Sequence, residues 1–359
     1  MKRIAIVLLI VCVGIIVWFQ FFASSNKTLS PLSKIKLFVS PPPTDIPIIQ
    51  KKSLAVFVPY WSLSKNPIIV DADTLLYFGV GVSESGIDTN EIGYKAISKF
   101  TNGAKNGVKK LLVIRMINSS INSKVLEDKT IQKKIIDQSV VTAEKNGFSG
   151  IVLDFEIKAL AFDSVVNNIT TFYSLFAKQA HKNNLQFDIT LYGDTFYLAR
   201  PYDVGKIGTY SDHIYIMTYD FHKAGGNPGP NFPLSGKDTY GYDMKQMISD
   251  FSKSVPSNKL IITFGLFGYD WIVDKQNESN VVAKPLSYTD IRSKYLNGCL
   301  EKDCKITRNA SGETSITFMD RDNHKHIIWF EDRTSMEKKK QFLSTKGLNS
   351  TAIWAYSYY

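Results

Sequence analysis

The amino-acid sequence predicts an α/β protein whose main domain is a closed (β/α)8 barrel, also called a TIM barrel. From Ser53 onward, eight strand-like segments alternate with stretches whose apolar residues have helical spacing, which is typical of a parallel sheet covered by helices. The chain has 359 residues, of which 44% are apolar and 13% aromatic, so it can bury a core of barrel size. The central strand, residues 151–156, follows a glycine-bounded turn and ends in two carboxylates.

The N-terminal segment is predicted to be a membrane anchor. An apolar run from Ile4 to Phe22 follows Lys2 and Arg3. Its length is close to the roughly 20 residues that span a bilayer, and it exceeds the apolar region of about 7–15 residues in a cleavable signal peptide. We therefore expect residues 1–25 to form an uncleaved transmembrane helix that precedes an exported domain. The alternative is cleavage at the serine-rich end of the run, which would release a secreted protein.

Residues 26–52 are predicted to be a linker. The segment is polar and contains Pro41-Pro42-Pro43 near its centre. Proline-rich stretches of this kind act as semi-rigid spacers because they form neither helix nor sheet interior. The barrel domain is therefore expected to occupy residues 53–359.

The eight predicted barrel strands are short runs rich in β-branched and aromatic residues. They cover residues 55–60, 74–82, 110–116, 151–156, 187–192, 211–219, 260–267 and 352–356. The helices between them are indicated by apolar residues three and four positions apart, as at Val165, Ile169, Phe172 and Phe176.

The connection between strands seven and eight is too long for one helix. It contains two short strand patterns, residues 314–318 and 326–330, so a small inserted α+β module is predicted at about residues 272–335. This module holds Cys299 and Cys304, the only cysteines outside the N-terminal apolar run. Export would place them in an oxidising compartment, so we predict a disulfide between them. Two free thiols are the alternative, since spacing alone does not determine their separation.

The carboxyl ends of the strands form the active face in barrels of this kind. In this sequence those positions combine a few carboxylates with many aromatic side chains. They are Tyr60, Trp61, Asp154, Glu156, Tyr192, Asp194, Met217, Tyr219, Asp220, Tyr269, Trp271 and Trp354. Any one of these aromatics could simply pack at the rim. Together they suit a pyranose, whose hydrogens stack on aromatic faces while its hydroxyls bind acids.

Several stretches resemble glycoside hydrolase family 18, the chitinase-like fold. The fourth-strand signature of that family is Asp-Gly-x-Asp-x-Asp-x-Glu, and Gly150, Asp154 and Glu156 match it, whereas Ser149 and Val152 replace its first two acids. The sequence Met217-Thr218-Tyr219-Asp220 matches the Met-x-Tyr-Asp pattern of the sixth strand, and Trp354 matches the tryptophan of the eighth.

Three further stretches resemble the bacterial cell-wall and spore-germination branch of the family. They are Gly265-Leu266-Phe267-Gly268-Tyr269-Asp270-Trp271, Pro228-Gly229-Pro230 and Trp329-Phe330-Glu331-Asp332. The resemblance extends over roughly residues 53–359.

The resemblance implies a glycosidase that cleaves β-linked N-acetylhexosamine glycans of the chitin or peptidoglycan type. The family uses the substrate's own 2-acetamido oxygen as the nucleophile, and the reaction retains the anomeric configuration. Glu156 would protonate the leaving oxygen and then deprotonate water. Asp154 would orient the acetamido group and keep the pKa of Glu156 high. Tyr219 and Asp220 would bind the acetamido group.

The predicted sugar-binding residues are Tyr60, Trp61, Met217, Trp271 and Trp354, with Trp354 beneath the sugar ring. Val152 departs from the chitinases, in which an acid at that position shares a hydrogen bond with the middle aspartate. We therefore expect Asp154 to lack that inner partner, which puts catalytic efficiency in question.

Two other functions remain open at the level of sequence. One is a barrel that binds cell-wall glycan without cleaving it, and the other is a membrane-tethered structural protein whose inserted module binds a partner. The presence of Glu156 argues against a pure binding module, because binding alone needs no acid at that position.

The sequence predicts neither a cofactor nor a metal, and no nucleic-acid partner. The net charge of +10 is spread along the chain and forms no basic stripe. The five histidines are scattered, and His324-x-His326 resembles a solvated loop more than a metal pair. We expect a monomer, anchored in the membrane with its catalytic domain outside the cytoplasm. Its expected partners are the membrane and an N-acetylated polysaccharide or oligosaccharide.

Overall fold

The computed structural model describes residues 53–63 and 68–359. The predicted transmembrane segment, residues 1–25, and the linker, residues 26–52, lie outside this part of the chain. Across the described residues, no helix combines the length and the apolar character needed to cross a bilayer.

The strands of the described chain belong to two sheets. In chain order they are β1 (Ser53–Pro59), β2 (Thr74–Ser83), β3 (Gly86–Ile87), β4 (Lys109–Met116), β5 (Gly150–Phe155), β6 (Gln186–Tyr192), β7 (Ile214–Thr218), β8 (Leu260–Gly265), β9 (Phe267–Val273), β10 (Lys284–Ser287), β11 (Lys302–Arg308), β12 (Thr314–Met319), β13 (Lys325–Phe330) and β14 (Ser350–Trp354).

The first sheet is the predicted barrel. Its strands follow the order β1-β14-β8-β7-β6-β5-β4-β2, all neighbours are parallel, and the pairing of β1 with β2 closes the ring. The short β3 only extends the end of β2 as an antiparallel hairpin. The eight-stranded barrel predicted from the sequence is therefore confirmed.

Helices cover the outside of the barrel. They are α1 (Ile92–Lys95), α2 (Ile97–Gly103), α3 (Ser119–Glu127), α4 (Lys129–Lys145), α5 (Asp163–Lys182), α6 (Val204–Tyr210), α7 (Lys237–Tyr240), α8 (Met244–Ser254), α9 (Tyr288–Ile291) and α10 (Arg333–Ser344). On α5, Phe172 and Phe176 are fully buried, and Phe176 stacks on Phe187 of β6 with ring centroids 5.2 Å apart. The apolar stripe read from the sequence is thus the face that packs on the strands.

Side-chain alternation along β5 divides the core into two parts. Ile151, Leu153 and Phe155 pack outward against the helices. Val152 points into the barrel, where it is fully buried with the interior side chains of the other strands. Asp154 follows two residues later on the same side of the strand as Val152. Asp154 therefore lies above a barrel interior that is filled mostly by apolar side chains.

The second sheet forms the inserted module between β8 and β14. It is antiparallel, in the order β10-β9-β13-β12-β11. The sheet begins at Phe267, earlier than the predicted start near residue 272, because a single residue, Leu266, separates β8 from β9. The predicted seventh strand continues through this junction to Phe267, and only Gly265 interrupts its strand-like run where β8 ends.

The module also contains the predicted disulfide. The sulfurs of Cys299 and Cys304 are bonded, with Cα atoms 6.3 Å apart, and the bridge precedes β11. Thiol labelling of the unreduced full-length protein in denaturant should therefore modify Cys12 alone. Reduction should expose two more thiols. Two extra reactive thiols before reduction would contradict the pairing.

Candidate active site

A cleft of about 690 Å³ opens at the carboxyl ends of the barrel strands. It is lined by carboxylates and aromatic or apolar side chains from the barrel and from the start of the inserted module. The lining residues are Phe57, Trp61, Phe78, Ile117, Asp154, Glu156, Thr190, Met217, Tyr219, Asp220, Phe267, Tyr269, Pro285, Leu286, Ser287, Asp290, Trp354 and Tyr358. All four predicted catalytic residues lie in this cleft.

Three of the five predicted sugar-binding residues also line the cleft. Trp354, at the end of β14, packs edge-on against Phe78 with ring centroids 4.6 Å apart. Trp61 is half exposed, and its ring centroid lies 6.3 Å from that of Trp354. Met217 at the end of β7 completes the set. The cleft thus has an aromatic floor and an exposed aromatic edge, as expected for a sugar.

Trp271, one of the five predicted sugar-binding residues, does not reach the cleft, which corrects this prediction. It is fully buried in the module, where it packs with Val273, Ala283 and Ile327. The first residues of β9 line the cleft, but the strand then leaves the barrel at about 3.3 Å per residue. Trp271 is on the same face as Tyr269 but one step farther from the barrel, inside the second core.

Tyr60 also does not line the cleft. It follows β1 in a turn of 3-10 helix and is half-buried behind Trp61, whose ring meets it edge-on at 5.0 Å. The guanidinium of Arg115 lies 5.4 Å from the Tyr60 ring centroid. Tyr60 therefore supports Trp61 and is not itself a contact surface for a ligand.

Glu156 comes directly after β5 and is half-buried. Its backbone N–H donates to the carbonyl of Met116 at 2.8 Å, which continues the β4–β5 pairing by one residue. The Tyr192 hydroxyl donates a hydrogen bond to its carboxylate. Burial raises the pKa of Glu156, although the Tyr192 hydrogen bond and the charge of Lys223 oppose the shift. The side chain is therefore disposed to hold a proton.

Asp154 is buried one step deeper on the same face of the strand. The Thr190 hydroxyl, on the neighbouring strand β6, donates a hydrogen bond to its carboxylate. Burial first, and then the negative charge of Glu156, raise the pKa of Asp154 to about 7. As predicted, Val152 offers Asp154 no hydrogen bond, but Thr190 supplies a partner from the neighbouring strand.

Thr190 and Tyr192 were not assigned roles from the sequence. Tyr192 stands among the strand-end residues, but nothing in its spacing reveals a bond to Glu156. A threonine inside a strand is an ordinary residue with no motif around it. Both assignments depend on the register between β5 and β6, which places Val152 opposite Asp188.

Asp220 and Tyr219 come from the end of β7. Asp220 has a left-handed backbone conformation with φ of 58°, and its carboxylate accepts a hydrogen bond from the Tyr269 hydroxyl at 2.7 Å. Burial raises the pKa of Asp220, and the Tyr269 hydrogen bond opposes the shift. The Tyr219 ring lies beside Trp354, with centroids 6.4 Å apart and planes at 28°. Tyr219, Asp220 and Tyr269 thus form one wall of the cleft.

One group of potential metal ligands occurs in the described part of the chain, outside the cleft. Single ligand atoms of Asp320, Asp322 and His324 lie within 4.8 Å of one another in the turn between β12 and β13. His326 is the other member of the His-x-His pair. Its Nδ1 hydrogen-bonds to the carboxylate of Asp270 at 2.8 Å. None of these residues lines the cleft.

The raised pKa of Asp154 predicts a pH-dependent stability. An ordinary aspartate in the unfolded chain has a pKa of about 3.9, so between that value and about 7 the folded state binds more protons than the unfolded state. Stability must fall as pH rises through this window, by at most about 4 kcal/mol. Asp154→Asn cannot ionise and so avoids this loss of stability. The difference in melting temperature, variant minus parent, should therefore be larger at pH 8 than at pH 4.

The control for this measurement is Asp71→Asn, which changes an exposed aspartate. Its melting temperature should follow that of the parent at both pH values. A difference between Asp154→Asn and the parent that does not change with pH would contradict the predicted titration.

Comparison with known proteins gives a family match and several relatives. The sequence profile of the glycosyl hydrolases family 18 matches residues 53–358. The chain is 25% identical to the uncharacterized glycosylase YvbX of Bacillus subtilis over 284 residues, 74% of this chain and 75% of YvbX. It is 26% identical to the cortical fragment-lytic enzyme of Bacillus anthracis over 248 residues, 66% of this chain and 53% of that enzyme. The chain thus spans about half the length of that second relative.

A solved chitinase shares the fold. The Group IV chitinase of Ostrinia furnacalis, crystallised in complex with allosamidin, superposes with a TM-score of 0.71 over 85% of this chain and 92% of the chitinase. The two sequences are 15% identical.

Proposed function

The chain belongs to the glycosyl hydrolases family 18, and on this premise we propose that it cleaves β-linked N-acetylhexosamine glycans of the bacterial cell wall. The observation that carries the proposal is the pair of carboxyls at the end of β5. Asp154 and Glu156 are about 7 Å apart along one face of a strand, each receives a hydroxyl hydrogen bond, and both open into an aromatic-floored cleft.

Glu156 is the proposed proton donor and later the proton acceptor. Burial raises its pKa, so the carboxyl keeps its proton to a higher pH than an exposed glutamate does. The Tyr192 hydroxyl fixes the orientation of the carboxyl group. Glu156 would give its proton to the oxygen of the leaving sugar and then take one from the incoming water.

The nucleophile in this proposal comes from the substrate. Most glycosidases need a second carboxylate as nucleophile or base, but family 18 is an exception that uses the acetamido oxygen of the sugar. Asp154 lies beside Glu156 and would stabilise the positive charge that develops on the cyclising acetamido group. Asp220 and Tyr219 would bind the same group from the wall of the cleft. Retention of the anomeric configuration follows from two successive displacements.

Trp354 and Trp61 are the proposed stacking residues. Trp354 lies at the floor, between Phe78 and Tyr219, where a sugar ring could rest on its face. Trp61 is exposed at the rim and would meet the next sugar. Peptidoglycan and chitin share the N-acetylated sugar that this arrangement suits. The name of the cortical fragment-lytic relative supports the cell-wall glycan as the substrate of this chain.

A second candidate function is glycan binding without cleavage. It is favoured by Val152 and Ser149, which replace two acids of the family signature. The hydrogen bond from Tyr192 to Glu156 argues for catalysis, because binding alone does not need an oriented carboxyl at this depth.

A direct assay separates the two functions. The full-length protein would be incubated with dye-labelled peptidoglycan and with a chromogenic chitobioside. We expect release of soluble fragments from peptidoglycan, with the first product retaining the β configuration by NMR. Retention of the protein on insoluble peptidoglycan with no fragments released would favour the binding function. An inverted product would exclude the substrate-assisted mechanism.

We also propose that residues 1–25 anchor the protein in the membrane and that the barrel lies outside the cytoplasm. The disulfide between Cys299 and Cys304 supports an oxidising compartment. Fractionation of cells that produce the full chain should place it with the membranes, and deletion of residues 1–25 should move it to the soluble fraction. An undeleted protein that is recovered in the soluble fraction at full length would contradict the anchor.

A further inference from the structure

The backbone at Asp220 is held in place by one neighbouring residue, Asn231. The backbone N–H of Asp220 donates to the side-chain oxygen of Asn231 at 3.0 Å, and the N–H of Phe221 donates to the main-chain carbonyl of Asn231 at 2.8 Å. The left-handed conformation of Asp220 is unfavourable for residues other than glycine, although aspartate tolerates it better than most. These two bonds fix the backbone in that conformation and so direct the carboxylate into the cleft.

The same amide also holds the strand that faces Asp220. Asn231 is 2% exposed, and its side-chain N–H groups donate to the carbonyls of Gly265 at 3.2 Å and Phe267 at 3.1 Å. These two carbonyls flank the junction of β8 and β9. β9 carries Tyr269, whose hydroxyl donates to Asp220. One buried amide therefore joins both partners of the Asp220–Tyr269 hydrogen bond.

Asn231 is in turn bound by an ionic group that is completely buried. The carboxylate of Glu313 accepts the backbone N–H of Asn231 at 2.5 Å and that of Phe232 at 2.8 Å. Lys339 of α10 donates to Glu313 at 2.7 Å and also to Glu331. The side chains of Glu313, Glu331 and Lys339 are all 0% exposed. Glu331 belongs to the Trp329–Asp332 stretch, and Asn231 follows Pro228-Gly229-Pro230, so two stretches without a catalytic role meet here.

A buried ionic group of this kind is poorly explained by stability. Removing ionised side chains from water costs several kcal/mol per ion, and apolar residues of similar volume often give equal or greater stability. What an apolar group could not provide is an acceptor for two adjacent backbone N–H groups. Glu313 provides it, at a place where the loop carrying Asn231 has no strand to pair with.

We propose that Asn231 is a positioning residue for Asp220, and that Glu313, Lys339 and Glu331 act through it to set the wall of the cleft. This inference rests on the proposed function, in which Asp220 contacts the acetamido group of the substrate. The inserted module would then contribute to the reaction in two ways. Tyr269 forms part of the wall of the cleft, and the buried group with Glu313 and Glu331 positions Asp220 through Asn231. Misplacement of a reacting group by about 1 Å can reduce turnover roughly 10²-fold.

A double-mutant cycle tests the proposal. Asn231→Ala and Asp220→Asn would be measured singly and together on peptidoglycan fragments. We expect Asn231→Ala to lower kcat roughly 10- to 100-fold with a smaller change in KM. Because Asn231 acts through Asp220, the double variant should be no slower than Asp220→Asn alone. Losses that multiply in the double variant would overturn the proposal.

Gln132→Ala is a matched control for the loss of a buried amide. Gln132 is fully buried in α4, and its side chain donates to the carbonyls of Val125 and Leu126, each at 3.0 Å. It does not line the cleft. We expect this variant to have a lower melting temperature and an unchanged kcat. A loss of kcat equal to that of Asn231→Ala would show that lost stability alone explains both.

Two further measurements cover the remaining outcomes. If Asn231→Ala does not fold, Glu313→Gln takes its place, because it keeps the side-chain volume and removes one acceptor. We expect a smaller loss of kcat than for Asn231→Ala. In the Asp220→Asn background, Glu313→Gln should cause no additional loss. If the parent cleaves no N-acetylated glycan, the proposed function fails, and a crystal structure of Asn231→Ala, or of Glu313→Gln where only that variant folds, then decides the positioning. Departure of Asp220 from its left-handed conformation would support it, and an unmoved Asp220 would overturn it.

Discussion

Glu156→Gln is expected to lower glycan cleavage by at least roughly 10²- to 10⁴-fold, which is the usual contribution of general acid–base catalysis. The amide has the shape of the carboxyl but cannot donate a proton to a leaving group at neutral pH. Its carbonyl oxygen can still accept the hydrogen bond from Tyr192, so the local structure should persist. The measurement is kcat on peptidoglycan fragments, together with the melting temperature.

Glycan binding should survive this substitution. Trp354 and Trp61 line the cleft and provide most of the stacking surface, and the substitution leaves both unchanged. Titration of Glu156→Gln with a chito-oligosaccharide, followed by tryptophan fluorescence, should give a dissociation constant close to the parent's KM for the same oligosaccharide, provided that chemistry is slow relative to substrate dissociation. Glu144→Gln, on the exposed side of α4, is the control and should cleave normally. Equal cleavage by Glu156→Gln and the parent would show that Glu156 is not the acid.

Asp154→Asn is expected to have the second largest effect, a loss of roughly 10²- to 10³-fold in kcat. The neutral amide occupies the same buried position and can still accept the hydrogen bond from Thr190. It no longer supplies negative charge to the acetamido group as that group becomes positive. A thiazoline that mimics the cyclised intermediate should inhibit the parent and bind this variant much more weakly.

Thr190 provides a graded control for Asp154. Thr190→Val keeps the size of the side chain but removes the hydroxyl that donates to Asp154, so we expect a loss smaller than that of Asp154→Asn. Thr190→Ser restores the hydroxyl and should recover most of the activity. Full activity in both Asp154→Asn and Thr190→Val would show that the acetamido group is stabilised elsewhere in the cleft.

The sequence by itself determined the architecture and the centre of the site. Strand-like runs and helical spacing predicted the eight-stranded barrel, because these periodicities are local properties of each element. Alternation along β5 placed Asp154 and Glu156 on one face for the same reason. The ends of parallel barrel strands meet at one rim, so Tyr219, Asp220 and Trp354 could also be assigned to the cleft.

Only the tertiary structure decided what those residues contact. Trp271 was assigned to the cleft because its stretch resembles a strand end, yet β9 carries it into the core of the module. Thr190 bonds Asp154 and Asn231 holds Asp220, although neither has a distinctive sequence context. Each of these contacts joins segments that are distant in the chain, so it depends on strand register and on the path of a loop. Local patterns record which side of an element a residue faces, but they do not record which partner is on the other side.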